Sequence, residues 1–284
     1  MSAPNKWRRN PYAYPGGQAR LNMGHPAVNQ SLRLAAVATA SGAMTDLLTS
    51  ATRTNTSVGG EINGLGPTVF PAAANSSDYI SFPALIPSET VNGLTMAAIF
   101  QPRGSTGGQG IVNINSSTGG GISVTASGLL GFGVNPNAFS SSNMPTCVPG
   151  HSYFAAYTFR SGGSNTNRYG GVAVDMTTGQ MWAAQVNGAT ISPTTGTSYS
   201  AITYNGGTQD HARVAAVSIT LSQLTFPQLL AWAKDPWSLW YPNSVWSAMQ
   251  TQRTVAAGAG ASNARVMSEV KGNASVSGTL QLFG

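Results

Sequence analysis

The sequence predicts an all-β protein, an antiparallel sandwich or jelly roll, on three observations. About eight or more short apolar or alternating segments are separated by turn clusters, at intervals of about ten to fifteen residues. No strand–helix alternation of the kind that builds parallel sheets is found. Charged residues make up only 8% of the chain, against about a quarter in an average protein. The charged residues are replaced by Gly, Ser, Thr, Asn and Ala, which suit tight turns and surfaces covered by other subunits. We therefore expect a β-rich protein that forms part of an assembly.

The predicted strands lie between residues 78 and 221. In chain order they are 78–85, 94–102, three strands within 108–135, 151–160, a hairpin over 169–188 that turns at Thr177-Thr178-Gly179, and 211–221. The stretch "GGEINGLG" (59–66) satisfies a relaxed glycine-loop pattern but precedes no helix. We therefore assign no phosphate-binding function to it.

One short helix is predicted near the end of the periodic part of the chain. Thr225 is the expected N-cap, and Gln228 three residues later completes a capping box. Pro227 falls in the first turn, where its missing N–H costs nothing. Pro236 disfavours a helical residue before it, so the helix should end around Lys234.

The chain divides into three zones. Residues 1–24 are predicted to be an extended basic N-terminal arm, 25–243 the β domain, and 244–284 an extended C-terminal arm of low complexity. The first acidic residue is Asp46, so the N-terminal arm is purely basic. The residues expected to dock on a partner are Lys6, Trp7, Arg8, Arg9, Tyr12 and Tyr14. An acidic protein surface is the favoured partner, and nucleic acid is disfavoured because no recognisable nucleic-acid module accompanies the charge.

Several classes of protein are disfavoured by what the sequence lacks. Cys147 is the single cysteine, so neither an internal disulfide nor a cysteine metal cluster is expected. The N-terminus has no apolar run of the secretory type. Eighteen consecutive apolar residues occur nowhere, so no membrane span is expected.

The acidic residues and histidines form no recognisable catalytic pattern in the sequence. No two acidic residues lie close enough in sequence to form the paired carboxylates of a glycosidase strand. Asp210 and His211 are adjacent, which directs their side chains to opposite faces of a strand, and no nucleophile elbow accompanies them. We therefore predict no enzyme, no cofactor and no metal, and interpret His25 and His151 as structural or surface histidines. For calcium, Asp78 and Asp175 are the least poor candidates.

The segments at both ends of the β domain resemble a known family. The capped helix followed by Asp235-Pro236-Trp237 and then Pro242 resembles the end of concanavalin A-like (laminin G-like) jelly-roll domains of bacteriophage structural proteins. "MGHPAVNQSLRLAAVATASGAMTDLLT" is similar to the opening strand and Asp-Leu turn of these domains, with Leu34 in place of the usual aromatic residue. "NSSDYISFP" and "LTMAAIFQP" are similar to the strands that follow. The resemblance spans about residues 23–243.

The resemblance implies a structural role for the aromatic residues around this helix. We expect a staple that holds the helix and exit loop on the edge of the sandwich, formed by Trp232, Trp237, Trp240 and Tyr241. A carbohydrate-stacking platform and a partner interface are the alternatives.

The resemblance also implies a function. The first hypothesis is a non-enzymatic virion structural protein, a capsid decoration or cement protein that binds the phage head through its arms. Its partners would be the major capsid protein and copies of itself, and it would reside in the virion after assembly in the host cytoplasm. The alternative is a lectin-like head or tail fibre module that binds host glycans, with residues 135–145 as a candidate loop. A glycosidase is set aside for lack of paired carboxylates.

Overall fold

The computed structural model describes residues 10–71, 79–86, 93–103, 107–114, 120–133, 143–160, 166, 168–187, 198–201, 204–207 and 212–241. The described part is an antiparallel β-sandwich, which confirms the predicted fold class. It contains sixteen strands and one α-helix, followed by a single 3₁₀ turn.

The elements are numbered along the chain. The strands are β1 Leu32–Ala38, β2 Met44–Asp46, β3 Thr52–Arg53, β4 Val58–Asn63, β5 Gly66–Pro71, β6 Ile80–Pro83, β7 Gly93–Gln101, β8 Gly107–Ile114, β9 Gly121–Val124, β10 Leu130–Gly133, β11 Tyr153–Arg160, β12 Tyr169–Asp175, β13 Met181–Val186, β14 Ser198–Ala201, β15 Tyr204–Gly207 and β16 Arg213–Thr220. The helix α1 spans Phe226–Ala233, and the 3₁₀ turn spans Pro236–Leu239.

Two sheets form the sandwich. The ten-stranded sheet has the order β13-β12-β11-β7-β16-β1-β2-β3, with β5 pairing β16 at one position and β4 pairing β5. The six-stranded sheet has the order β10-β9-β8-β14-β6, with β15 pairing β8. Every pairing is antiparallel, and β7, β11 and β16 form the long centre of the larger sheet.

The central strands of the ten-stranded sheet, β7, β11, β12 and β16, are buried on both faces. The inner face of this sheet packs against the six-stranded sheet through side chains such as Met96, Phe100 and Tyr157. Its outer face packs against α1 and the 3₁₀ turn through Ile99, Phe154 and Val172. Strands buried on both faces have continuous apolar sequences rather than alternating ones, which explains the run "LTMAAIF" in β7 and "VAAVSI" in β16.

The helix begins and ends where its local sequence requires. The Thr225 side chain accepts the Gln228 backbone N–H, and the Gln228 side chain in turn accepts the Thr225 backbone N–H, so a capping box is present. Pro227 lies in the first turn. Lys234 is the C-cap, directly before Asp235 and Pro236.

Two segments differ from the sequence expectations. The stretch 59–66, for which no strand was predicted, lies within the β4–β5 hairpin. Glycine at position 66 permits close packing, because a Cβ on Gly66 would lie 2.6 Å from the Cζ atom of Tyr14. The expected extended arm over 1–24 is corrected for residues 10–24, because these residues pack on the domain and are tied to it by backbone hydrogen bonds.

Candidate functional site

The N-terminal segment is bound to the last structured turn of the chain. The backbone N–H groups of Arg20 and Asn22 donate to the carbonyl oxygens of Trp240 and Leu239, each at 2.9 Å. The Asn22 side-chain amide also donates to the Ser238 carbonyl oxygen at 2.8 Å. These bonds satisfy backbone groups that would otherwise be buried without partners, so residues 20–22 form part of the domain.

Aromatic contacts extend this attachment towards Tyr14. The Tyr14 ring meets the Trp237 ring edge-on with centroids 5.5 Å apart, and the Tyr241 ring at 5.6 Å. The Tyr241 hydroxyl donates to the Tyr14 hydroxyl at 3.3 Å. Tyr12 lies farther along, with its Cε2 atom 3.6 Å from where a Cβ on Gly179 would stand. Both tyrosines therefore contact their own domain.

Five aromatic residues lie over the outer face of the ten-stranded sheet. We call them the aromatic layer: Tyr14, Trp232, Trp237, Trp240 and Tyr241. Trp232 contacts Phe154 of β11 and Trp240, with centroid distances of 5.5 and 5.8 Å. The tryptophans are at most 2% exposed, and Tyr241 is 7% exposed. Rings buried to this degree offer no free face to a sugar, so the layer's geometry is that of internal packing rather than a stacking platform.

His25 lies inside the same layer. Its ring stands 4.4 Å from the Trp232 ring, and its Nδ1 atom accepts the Ala27 backbone N–H at 3.2 Å. Burial lowers the pKa of His25 to about 3. The imidazole is therefore neutral at physiological pH and serves packing.

Both terminal segments leave the described part at one end of the ten-stranded sheet. Strands β1, β7 and β12 run in the same direction, because each is separated from the next by one antiparallel neighbour. Their last residues therefore lie at one end, which we call the terminal end. Tyr241 lines a groove with Val37 and Ala38 at the end of β1, and Tyr12 lies by Gly179 in the turn after β12.

The groove at the terminal end has a volume of about 670 Å³. One wall is the N-terminal segment 17–21 with Tyr14, and the other is formed by β1, β2 and the turn after each of them. Its polar lining residues are Tyr14, Gln18, Arg20, Thr39, Thr45, Ser50 and Tyr241. The groove thus combines ring edges, hydroxyl groups and one guanidinium.

A second polar cluster involves His151 and Asp175. The Nδ1 atom of His151 lies 2.8 Å from Oδ2 of Asp175. Oδ1 of Asp175 accepts the backbone N–H groups of Thr177 and Thr178 in the β12–β13 turn. Burial acts to raise the pKa of Asp175, but these hydrogen bonds outweigh it and the net shift is downward. Asp175, a calcium candidate from sequence, is therefore held as a turn-stabilising carboxylate.

The partly buried ion pair between Glu61 and Arg213 was not predicted from the sequence. The Arg213 guanidinium donates through Nε and Nη2 to the two carboxylate oxygens of Glu61 and stacks over the Phe70 ring, 5.4 Å from its centroid. The sequence feature that could have indicated this ion pair is Arg213, a basic residue flanked by apolar residues at the start of β16. The pair ties β4 to the central sheet, so its role is to hold the β4–β5 hairpin.

The remaining sequence candidates lie partly or wholly outside the described residues. Lys6, Trp7, Arg8 and Arg9 do so, as do Asp78, the pair Asp210 and His211, and most of the loop 135–145. Among the described residues, no group of three potential metal-binding side chains occurs. Nor does any described helix have the length and apolar character to cross a membrane.

The outer face of the six-stranded sheet contrasts with the aromatic layer. We call it the bare face; its outward-facing residues are Ser81, Pro83, Asn113, Gly121, Ser123, Gly131, Gly133 and Ser198. Asn113 pairs with Gly121, and Ser123 with Gly131. A Cβ on Gly131 would lie 3.2 Å from the Ser123 Oγ, and one on Gly121 3.1 Å from the Asn113 Oδ1. The glycines thus leave room for their neighbours' polar side chains to lie along the sheet.

The chain was compared with known proteins. No protein-family model matches it, and no curated protein does. Similar solved structures include the Trypanosoma rangeli sialidase, at 12% identity over 74% of this chain and 32% of that one, with a TM-score of 0.46. The receptor binding domain of botulinum neurotoxin type G is similar at 9% identity over 72% of this chain and 51% of that one, with a TM-score of 0.48. The serotype D binding domain has 12% identity, 75% and 53% coverage and a TM-score of 0.48. The chain spans about a third of the sialidase and about half of each toxin domain.

Proposed function

We propose that this chain is a non-enzymatic structural protein of a bacteriophage virion, a decoration protein that binds the head through its terminal segments. The observation that carries the proposal is the departure of both terminal segments from the terminal end of one sheet. Two segments that start at one end reach the same supporting surface together, and two linked attachments bind far more tightly than either alone. The major capsid protein and further copies of the chain are the partners, and the virion is the location.

The charge distribution supports a docking role for the first residues. Lys6, Arg8 and Arg9 precede the described part, with no acidic residue before Asp46. Because Tyr12 and Tyr14 contact the domain itself, the docking role narrows to the residues before Asn10. A purely basic segment suits an acidic surface between capsid subunits.

The structural engagement of Asp46, Glu61 and Asp175 supports a non-enzymatic role. Asp46 accepts the backbone N–H groups of Ala35 and Leu48. Glu61 is bound by Arg213, and Asp175 holds the turn after β12. Each of these acids is thus occupied by a structural partner, whereas glycoside hydrolysis requires one carboxyl group as acid and another as base or nucleophile.

Cosedimentation with phage heads that lack the protein tests the proposal. The full chain should pellet with the heads, and the triple variant Lys6→Ala, Arg8→Ala, Arg9→Ala should bind at least about tenfold more weakly in low salt, as expected for lost charge contacts. The matched control replaces Arg33, Arg53 and Arg103 by alanine, which removes equal charge from the domain and should leave binding unchanged. Failure of the full chain to pellet would overturn the decoration role.

The groove favours a second candidate, a lectin-like head or tail fibre module that binds a host glycan. A volume of about 670 Å³ holds an oligosaccharide unit, and the groove's hydroxyl, amide and guanidinium groups suit sugar hydroxyls. A glycan array probed with the full chain tests it. Binding that is lost in Arg20→Ala and Gln18→Ala but kept in Gln223→Ala would support the lectin, and an array without signal would remove it.

A further inference from the structure

Strand β13 is the last strand at one edge of the ten-stranded sheet, as far as the described residues define it. Its six residues pair continuously with β12, from Tyr169 opposite Val186 to Val174 opposite Met181. Among the described residues, no strand pairs with its other edge. An open edge presents a row of N–H and C=O groups that pair readily with a further strand, and proteins usually protect such edges with charge, proline, a bulge or short length.

Most other edge strands of the described sheets carry such protections, and β13 does not. Strand β3 is two residues long and includes Arg53. Strand β6 ends in Pro83, and β15 is four residues long with a register shift. Strand β10 is covered at its start, where Leu130 donates to the Pro145 carbonyl oxygen. By contrast β13 reads Met-Trp-Ala-Ala-Gln-Val, with no charge, no proline and an unbroken register.

The side chains of β13 form two rows with different character. Trp182, Ala184 and Val186 are half-buried and pack against the core between the sheets. Ala183 and Gln185, on the other face, are exposed. The core row is thus incomplete at this edge, and a further strand would complete it if it placed apolar side chains beside Trp182 and Ala184 and polar ones beside Gln185.

The end of the chain has the matching pattern. In the segment "ASVSGTLQL" (274–282), small or apolar residues occupy the even positions and polar residues occupy the odd ones. The period of two predicts a strand with one apolar face, and the segment contains neither charge nor proline. The preceding residues 242–273 can extend to about 100 Å at about 3.3 Å per residue.

We propose that the C-terminal segment 274–282 of one copy of this chain adds as a strand to the free edge of β13 of a second copy. The proposal rests on the proposed function, in which copies lie side by side. The side-by-side copies of the proposed function are what assign the strand to a neighbour. Tyr241, where the segment departs, lines a groove with β1 and β2, and β1 lies five strand spacings from β13 in the sheet order. Residues 242–273 are long enough to reach β13 of the same chain as well, and the cross-linking experiment below separates the two cases.

This placement has a consequence for assembly. Donor and acceptor sites at opposite sides of one sheet make a head-to-tail contact, in which each copy donates to the next. Such contacts close into rings when the rotation between copies permits. Backbone hydrogen bonds would supply affinity, and the alternating side chains would fix the register.

Cross-linking of two full-length variants tests the pairing. Ala183→Cys, exposed on β13, is mixed with Thr279→Cys and treated with a short bis-maleimide. The native Cys147 thiol should not interfere, because it is buried and burial raises its pKa to about 12. The expected product is a cross-linked dimer that contains one chain of each variant. The matched control pairs Thr279→Cys with Ser81→Cys, which is exposed on the edge strand of the other sheet, and should give no such dimer.

Two results would overturn the proposal. One is a dimer yield no higher than that of the Ser81→Cys control. The other is a link within a single chain of the double variant Ala183→Cys, Thr279→Cys at high dilution, with no dimer in the mixture, which would place the strand on its own molecule.

Self-association measured by analytical ultracentrifugation gives an independent readout. Ala183→Lys at the exposed edge and Leu280→Pro in the donor segment should each raise the dissociation constant at least about tenfold. Ser81→Lys should leave it unchanged, and a full chain that stays monomeric at all concentrations would contradict the proposal. Because head binding is measured separately, self-association without head binding would refute the proposed function alone, and head binding without self-association would refute the strand exchange alone.

Discussion

The outer faces of the two sheets differ in what covers them. On the ten-stranded sheet, the aromatic layer and α1 cover the central strands, whose outward side chains such as Ile99, Phe154 and Val172 are buried. On the six-stranded sheet, the bare face consists of half-buried asparagine, serine and glycine residues, with Ser81 and Pro83 exposed. Large aromatic side chains in this protein thus pack the domain itself. In the function proposed above, the terminal segments and the edge of β13 contact the partners instead.

Removal of Trp232 should produce the largest loss of stability. Trp232 is 1% exposed and contacts His25, Phe154 and Trp240. Trp232→Ala should lower the free energy of unfolding in urea by about 3–5 kcal/mol, the range for large buried aromatic side chains. The control Tyr79→Ala removes a half-exposed ring beside the six-stranded sheet and should cost less than about 1 kcal/mol. Equal losses of stability in Trp232→Ala and Tyr79→Ala would contradict the difference in packing between the two faces.

Acid should weaken the aromatic layer through His25. Its folded pKa of about 3 lies below the value of 6.5 for a free imidazole, so the unfolded chain binds a proton more readily. The stability that comes from the neutral ring is complete above pH 6.5 and is lost as the pH falls towards 3. At pH 4.5 the loss amounts to about 3 kcal/mol, from about 1.4 kcal/mol for each pH unit.

The variant His25→Asn isolates this effect. Its carbonyl oxygen can accept the Ala27 N–H in place of Nδ1, but it does not titrate. Urea unfolding between pH 7 and 4.5 should show a much flatter dependence in the variant than in the parent chain. The hydrogen bonds that lower the pKa of Asp175 are present in both chains, so its contribution cancels in the comparison. An unchanged slope in the variant would contradict the assignment to His25.

Two glycines of the bare face should respond differently to alanine. A Cβ on Gly121 would lie 2.8 Å from the backbone oxygen of Val112, and backbone cannot move aside cheaply. Gly121→Ala should therefore cost about 1–3 kcal/mol, as overpacking does. Gly131→Ala meets the Ser123 hydroxyl at 3.2 Å, which can rotate away, and should cost less than about 1 kcal/mol. If chemical denaturation showed a larger loss for Gly131→Ala than for Gly121→Ala, the close backbone contact at Gly121 would not be what determines the cost of the added methyl group.

The smallest effect is expected at the cap of α1. Thr225→Ala removes the acceptor for the Gln228 N–H and should cost about 1 kcal/mol. Thr225→Ser retains the hydroxyl and should stay within about 0.5 kcal/mol of the parent chain. Equal losses of stability in both variants, measured by thermal unfolding, would show that the Thr225 hydroxyl does not stabilise α1.

The fold was largely readable from the sequence because local patterns specify it. Apolar runs in the sequence predict the strands β7, β11, β12 and β16. The capping box and Pro236 predict where α1 begins and ends. The β4–β5 hairpin was missed because its glycines serve contacts with Tyr14 and Gly42 that are distant in sequence. Glu61 and Arg213 stand 152 residues apart, so no local pattern could join them. The packing of residues 10–24 was missed for the same reason, since their partners Leu239 and Trp240 come at the other end of the domain.

The most direct test of the account compares hydrogen–deuterium exchange of the full chain, free and bound to phage heads. We expect protection on binding to increase in residues 1–9, in β13 and in 242–284, while the amides of 226–241, the segment that carries most of the aromatic layer, stay unchanged. Protection confined to 226–241 or to the groove, with none in the terminal segments, would contradict the claim that the termini and the open edge are the binding surfaces.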